Sequence, residues 1–489
     1  MTLLDLFDAA LADRPDAFAL NDLTYAQLHG GARRVATKLR ELGVRRGDRV
    51  SLYCENRLGY VFTYLALLRL GAIVVPTNVL YRAADLQHVV EDAAASRMLV
   101  GETTREYAAQ LRSCPPAFDA AEVEAWAADE AIAPFAPDVA AQPSDVVTIV
   151  YTSGTTGRSK GAMLTHDNMA TVAAQLAMSW RWTPADTLVA ALPLFHVHGL
   201  GAALNGTLAV GARLILHPRF DAQKILAELR RPDVTMFFGV PTMYVRLLEH
   251  IGDAEPPSLR LAVSGSAALS ADVHRAFRER FGTEILERYG ATEFGFALTN
   301  RYAGPRVAGS VGIPFPGTRV RVVPVGGVDP VPAGEVGELL VSGPTVFAGY
   351  WNLPEATAQA FATDADGTRW YRSGDLATYD AENDVYRIVG RLKELIITGG
   401  FNVYPREIEN EIDQYPNVVA SAVVGMPDPA RGELPVAFVE CSGELDCEAL
   451  ALHLRERLAS FKVPKEIRIV EALPRNAMGK IEKGRLKQL

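Results

Sequence analysis

A run of glycines, hydroxyls and one lysine stands out: Tyr151-Thr-Ser-Gly-Thr-Thr-Gly-Arg-Ser-Lys-Gly161. Gly154, Gly157 and Gly161 let the backbone turn tightly and present N–H groups to an anion. Thr152, Ser153, Thr155 and Thr156 add hydroxyl donors, and Lys160 adds positive charge. That is chemistry for a triphosphate. The Gly-Arg-Ser-Lys ending misplaces the lysine for a Walker A loop. A solvated Gly/Ser turn is the plainer alternative, but the apolar strand Val146 to Val150 before it and the lysine after it favour phosphate.

Elements that can carry such a loop are legible around it. Thr24-Tyr-Ala-Gln27 is a capping-box pattern. Leu28, Ala32, Val35, Ala36, Leu39 and Leu42 follow at helical spacing up to Gly43. An apolar strand, Val50 to Cys54, a helical run to Gly71 and a strand from Ala72 to Val75 come next. This βαβ rhythm argues for a mostly parallel sheet covered by helices. Residues 113–145, rich in Ala, Pro and acids, read as a surface connection. From about 306 to 390 short β-rich runs dominate, such as Arg319 to Val323, Glu338 to Val341 and Val385 to Val389.

The expected fold is α/β. A large N-terminal domain (1–390) has helix-covered sheets and a β-rich subdomain. Then come a boundary at 391–394 and a small α+β C-terminal domain (395–489). The length of 489 residues fits that count, at roughly 150 residues per domain. The net charge of −9 argues against a general nucleic-acid coat. The four cysteines are dispersed without a CxxC, which argues against a zinc ribbon or a disulfide framework. The first residues lack a signal-peptide pattern, and the greasiest stretch, Val61 to Pro76, is broken by Arg69 and too short to span a membrane. A cytoplasmic protein without a membrane span is expected.

The loop at 151–161 resembles the phosphate loop of the adenylate-forming superfamily, which holds acyl-CoA synthetases, adenylation domains and luciferases. Further similar stretches follow in the family's order: Leu192-Pro-Leu-Phe-His-Val-His-Gly199, Val263-Ser-Gly-Ser-Ala267, Tyr289-Gly-Ala-Thr-Glu293, Tyr371-Arg-Ser-Gly-Asp375, Gly390-Arg-Leu-Lys-Glu-Leu-Ile-Ile-Thr-Gly-Gly400 and Pro474-Arg-Asn-Ala-Met-Gly-Lys480. The resemblance implies a mobile C-terminal domain and an active site between the two domains. It implies an acid–thiol ligase that uses ATP, Mg²⁺ and CoA and forms an acyl-adenylate first.

The resemblance assigns roles by position. Lys480 would bridge the carboxylate and the α-phosphate; without the motif around it, it would read as an exposed tail lysine like Lys483 and Lys487. Thr152, Glu293 and His196 join it as catalytic residues, with Glu293 and Thr152 holding Mg²⁺. Ser153, Gly154, Thr155, Thr156, Gly157, Lys160 and Thr292 would hold phosphates. Gly265, Ser266 and Ala267 are small enough for adenine to lie on the backbone, and Glu287, Arg288, Tyr289 and Gly290 complete the nucleotide side. Asp375 would accept both ribose hydroxyls, unless it merely caps a turn, and Arg391 would support it. His196 and His198 could be read as a metal pair, but no third ligand lies near in sequence. By resemblance His196 borders the acyl pocket instead, with His198, Ser264 and Arg288. Lys393 matches the family's hinge, and Gly399 and Gly400 would line a pantetheine tunnel; a plain turn is their alternative. The Lys480 context also suits modification by a lysine acetyltransferase.

Arg288 bears on the choice of acid. Its fork would pair with the far carboxylate of a short diacid, or else form a structural salt bridge, as with its neighbour Glu287. Pro193 to Gly199, Phe238 to Tyr244, Ser264 to Ala268 and Glu287 to Gly290 resemble the malonate–CoA ligase branch. Ala291 stands where that branch carries Met, and Phe294 and Phe296 are bulkier than its pattern. These departures leave room for a 2-alkylmalonate or another acid. The alternatives are a fatty-acid or aryl-acid ligase, a carrier-loading adenylation domain, and a non-catalytic nucleotide-binding regulator.

Overall fold

The computed structural model describes residues 1–137, 140–152, 158–253, 255–429, 431–476 and 479–488. The helix expected after Thr24 is Tyr25–Glu41, and Thr24 with Gln27 closes its capping box, satisfying backbone donors that a helix start leaves bare. The greasy stretch Val61 to Pro76 divides between the helix Leu58–Leu70, buried on nearly every side, and the buried strand Ile73–Pro76. Gly71 ends the helix at φ 67°, a left-handed cap that suits glycine. Among the described residues no helix is long and apolar enough to cross a membrane.

Residues 113–145 are more than a surface connection. Ala117–Asp119 is an edge strand and Ala120–Ala128 a helix, started by a capping box of Asp119 and Glu122. The helix packs against Tyr25–Glu41 and Leu58–Leu70. Alanine gives it helix propensity without bulky apolar groups, so its periodicity is faint in the sequence.

Two helix-covered sheets position the site. In one, Ile285–Ala291, Leu261–Ser264, Met236–Gly239, Thr187–Ala190, Arg213–Leu216 and Phe18–Leu20 run parallel in that spatial order. Their interior strands are buried along nearly their whole length, the mark of a sheet covered on both faces. Such sheets bind ligands beyond the carboxyl ends of their strands, where Ser264 and the turn after Ala190 lie. In the other, Ile73–Pro76, Arg49–Tyr53, Arg97–Val100 and Ala117–Asp119 run parallel beside the antiparallel hairpin Val146–Thr152 and Lys160–Thr165.

The β-rich region is an antiparallel sheet that includes Arg319–Val323, Gly337–Ser342, Arg369–Asp380 and Val385–Arg391. Its register sets Asp375 opposite Arg391. Beyond it, strands Ile396–Thr398, Val418–Asp428 and Gly432–Cys441 pack with helices Pro405–Ile412 and Cys447–Arg457. They bury a core of their own around Ile396, Ile408, Val423, Val439 and Leu450.

Candidate active site

Thr152 and Lys160 face each other where the Val146–Thr152 and Lys160–Thr165 strands meet. Ser153, Gly154, Thr155, Thr156 and Gly157, between them, lie outside the described residues. The Thr152 hydroxyl donates to Glu293 Oε1 at 3.1 Å, and the Tyr350 hydroxyl donates to the same oxygen at 3.2 Å. Lys160 Nζ stands 5.2 Å from the Tyr350 ring centroid. Burial raises the Glu293 carboxyl above its ordinary range, and the two hydroxyls oppose that shift. A half-buried carboxylate beside a hydroxyl is a hard-oxygen donor set that suits Mg²⁺. Tyr350 was invisible in the sequence, being a lone aromatic outside any motif.

Asp375 and Arg391 meet at 3.0 Å, Oδ1 to Nε. The Tyr289 hydroxyl donates to Asp375 Oδ2 at 2.5 Å. The Asp375 carboxylate is therefore engaged by distant side chains, not by the backbone of its own turn. Gly290 lets strand Ile285–Ala291 fold back closely, since a Cβ there would stand 2.1 Å from Gly295 O. Thr292 and Glu293 sit in that turn.

Lys480 comes to the same place from the far end of the chain. Its N–H donates to Asn476 Oδ1 at 3.0 Å, and the Asn476 N–H donates to Lys480 O at 2.8 Å. The loop docks on the first turn of helix Pro241–His250, where a Cβ on Gly479 would stand 3.1 Å from Thr242 Oγ1. Burial, then Arg391, pushes the Lys480 ammonium down to about 8, while Glu394 and Asp375 pull it up. A cavity of ≈ 340 Å³ opens beside it, walled by Arg391, Lys393 and Glu394. Lys483 is not an exposed tail lysine. Its Nζ joins Glu394 at 3.2 Å and the buried Glu409 at 2.6 Å, tying the tail to helix Pro405–Ile412. Lys487 is exposed.

Arg288 and Glu287 do not pair. Successive strand residues point to opposite faces, and the Glu287 carboxylate turns to the Leu269 N–H at 3.2 Å. Burial raises that carboxyl to about 7. Arg288 is buried, and among the described residues no carboxylate pairs with it. Its Cζ lies 4.4 Å from the Phe296 ring centroid, Nη2 donates to Ser266 Oγ at 3.4 Å, and among the described residues Nε has no hydrogen-bond partner. A Cβ on Gly265 would stand 2.4 Å from Arg288 Nε, so that glycine makes room for the guanidinium. Ser266, at φ 71°, holds a left-handed backbone that is strained for serine. Its hydroxyl lies between Arg288 and His198 Nδ1, 3.3 Å away. Ala267 follows in the same loop.

Burial lowers both histidines, His196 to about 4 and His198 further, so both are neutral at pH 7. Their Nε2 atoms and Ser264 Oγ are buried without hydrogen-bond partners among the described residues. The chain passes closely here, since a Cβ on Gly199 would stand 2.2 Å from Pro193 O. His198–Gly206 is a π-helix, a feature that recurs at functional sites and has no clear sequence signal. A buried guanidinium that pairs with no carboxylate among the described residues is suited to an anion.

Lys393 lies in the single turn Leu392–Glu394. Gly399 and Gly400, at φ 56° and 85°, close the hairpin of Ile396–Thr398 and Phe401–Val403. A two-residue turn of this kind demands positive φ at both positions, so the turn alone explains both glycines as they stand.

This fold, with its Thr152–Lys160 hairpin, Asp375–Arg391 pair and Lys480 loop, defines a class. Residues 7–351 match the AMP-binding enzyme family, and residues 407–480 match the AMP-binding enzyme C-terminal domain. The chain belongs to the AMP-binding enzymes, within the adenylate-forming superfamily, and is an AMP-forming acid–CoA ligase of that superfamily. It is 39% identical to a feruloyl-CoA synthase of Amycolatopsis sp, over 95% of this chain and 94% of the relative. It is 36% identical to a mitochondrial malonate–CoA ligase of Mus musculus, over 95% of this chain and 87% of the relative. The crystal structure of ATP-bound MatB from Rhodopseudomonas palustris superposes with a TM-score of 0.90 at 38% identity, covering 100% of this chain and 99% of that one.

Proposed function

We propose that this ligase activates malonate or a 2-alkylmalonate and transfers the acyl group to CoA. The observation that carries the choice of acid is the buried Arg288 guanidinium, which pairs with no carboxylate among the described residues. It would receive the distal carboxylate, with Ser264, Ser266 and His198 beside it.

The chemistry needs two steps because a carboxylate is a poor acyl donor. Its proximal oxygen attacks the α-phosphate of ATP and expels pyrophosphate. The CoA thiol then attacks the acyl carbonyl, and AMP leaves. The first step crowds anions together, so cations must screen them. Lys480 would bridge the attacking carboxylate and the α-phosphate, and Lys160 with Thr152 would hold the phosphate tail. Glu293 and Thr152 would hold Mg²⁺, which supplies further positive charge to the phosphates when bound. Asp375 would accept the ribose hydroxyl protons, kept in place by Tyr289 and Arg391. Neutral His196 would border the acyl group, and adenine would lie on the 265–267 backbone.

The second step needs CoA where Lys480 now sits. Rotation about Lys393 would withdraw the lysine loop and bring Gly399 and Gly400 in to line the pantetheine path. Lys393→Pro locks φ at that turn. It should slow thioester formation from supplied acyl-adenylate at least tenfold more than adenylation, on the order of 1.4 kcal/mol. Full rates in both half-reactions would remove the hinge from Lys393.

AMP release with CoA, measured across malonate, methylmalonate, butyrate and ferulate, tests the choice of acid. A preference for the two diacids is expected. Phe294 and Phe296, buried beside the site, favour a second reading, an aryl or longer apolar acid. Faster turnover of ferulate or butyrate than of either diacid would establish it.

A further inference from the structure

The two stems of the phosphate hairpin are gripped by one helix that no motif singles out. Helix Ala83–Asp92 buries Leu86, Val89 and Val90 in the core, so it is a fixed body. Two side chains one turn apart leave its other face. His88 Nε2 donates to Ser159 O at 2.8 Å, one residue before Lys160. Asp92 Oδ2 accepts from the Tyr151 hydroxyl at 2.5 Å, one residue before Thr152. The grip is braced: the His88 and Tyr151 rings meet edge-on at 6.0 Å, and Trp351 Nε1 donates to Asp92 O at 3.1 Å. The Trp351 backbone N–H donates to Gly161 O at 2.7 Å, which ties the second stem back to the same brace.

We propose that His88 and Asp92 are positioning residues that set the separation and aim of Thr152 and Lys160 for the ATP phosphates. Neither touches substrate. Each holds one stem, so each acts through the group that follows on that stem. A triphosphate folds its charge against both stems at once, and a stem free to drift meets it with a worse-placed donor. The acyl-adenylate has already lost its β- and γ-phosphates, so its onward reaction should not sense the grip.

The inference rests on reading 151–161 as the triphosphate site. Pyrophosphate exchange by the full-length wild type, with ATP varied, tests that reading first: no saturable ATP dependence would overturn it. With it standing, His88→Leu and Tyr151→Phe each remove one hydrogen bond of the grip. Each should raise KM for ATP about fivefold, the effect of one lost hydrogen bond. KM for the acid and the rate of thioester formation from supplied acyl-adenylate should stay within about twofold. His88→Gln keeps an N–H that can reach the Ser159 carbonyl and should restore most of the ATP affinity. The proposal fails if KM for ATP is unchanged in both His88→Leu and Tyr151→Phe. It fails equally if every kinetic parameter falls together, or if Gln at 88 is as impaired as Leu. Tyr151→Phe keeps the ring and its packing, so it decides the matter should His88→Leu fold poorly.

Discussion

Lys480→Ala should stop acyl-adenylate formation and spare thioester formation from supplied acyl-adenylate. The lysine is the cation that the chain's end delivers to the Asp375–Arg391 corner, on a loop whose Gly479 packs against Thr242. Removing one preorganised charge at a developing anionic centre typically costs about 10²–10³ in rate. Pyrophosphate exchange should fall by that factor or more. The working form is the ammonium, and its environment pushes it down to about 8. Wild-type adenylation should therefore be full below that pH and decline as pH rises through it. The alkaline decline should disappear from the residual rate of the alanine variant. An equal loss in both half-reactions would make Lys480 structural.

Arg288→Ala should reverse the preference between diacids and monoacids. Losing one partner of a partly buried charge pair costs about 2–5 kcal/mol. At about 1.4 kcal/mol per tenfold, kcat/KM for malonate should fall by roughly 30-fold to several thousand-fold. Butyrate should hold or gain, since it never paired with the cation. Lysine at 288 should rescue partly, because an ammonium lacks the two-pronged fork. Folding should survive, because the substitution leaves no protein carboxylate unpaired. The decisive quantity is the malonate-to-butyrate ratio of kcat/KM. A ratio unchanged within about threefold, under 1 kcal/mol, would favour the monocarboxylate or aryl reading.

Local chemistry was the readable part of this chain. The turn glycines, the Thr24 capping box, the strand before the phosphate loop and the helix ending at Gly71 all depend on neighbours a few residues away. Such preferences are carried by residue type and spacing. The helix Ala120–Ala128 escaped because its buried face has only Val123 beside two alanines, Ala120 and Ala127, which barely mark a period.

The candidate site divides along the same line. The residues proposed for ribose and phosphate could be singled out from motifs because each motif is a short contiguous stretch. Their partners could not be. The Thr152 hydroxyl meets Glu293 across 141 positions, and the Tyr289 hydroxyl meets Asp375 across 86. Arg288 and Glu287 look paired as neighbours in the chain, yet the strand's pleat sends them to opposite faces. Lys483 looks like a loose tail charge until the fold sets it between Glu394 and Glu409. His88 and Asp92 carry no signature at all, because gripping both stems depends on where one helix packs. Spacing along the chain sets which groups are present and how each local turn bends. Which charges end up paired, which stay bare for a substrate and which lysine is enclosed depend on contacts between distant segments. Those contacts form only when apolar faces are buried together, and no local pattern encodes them.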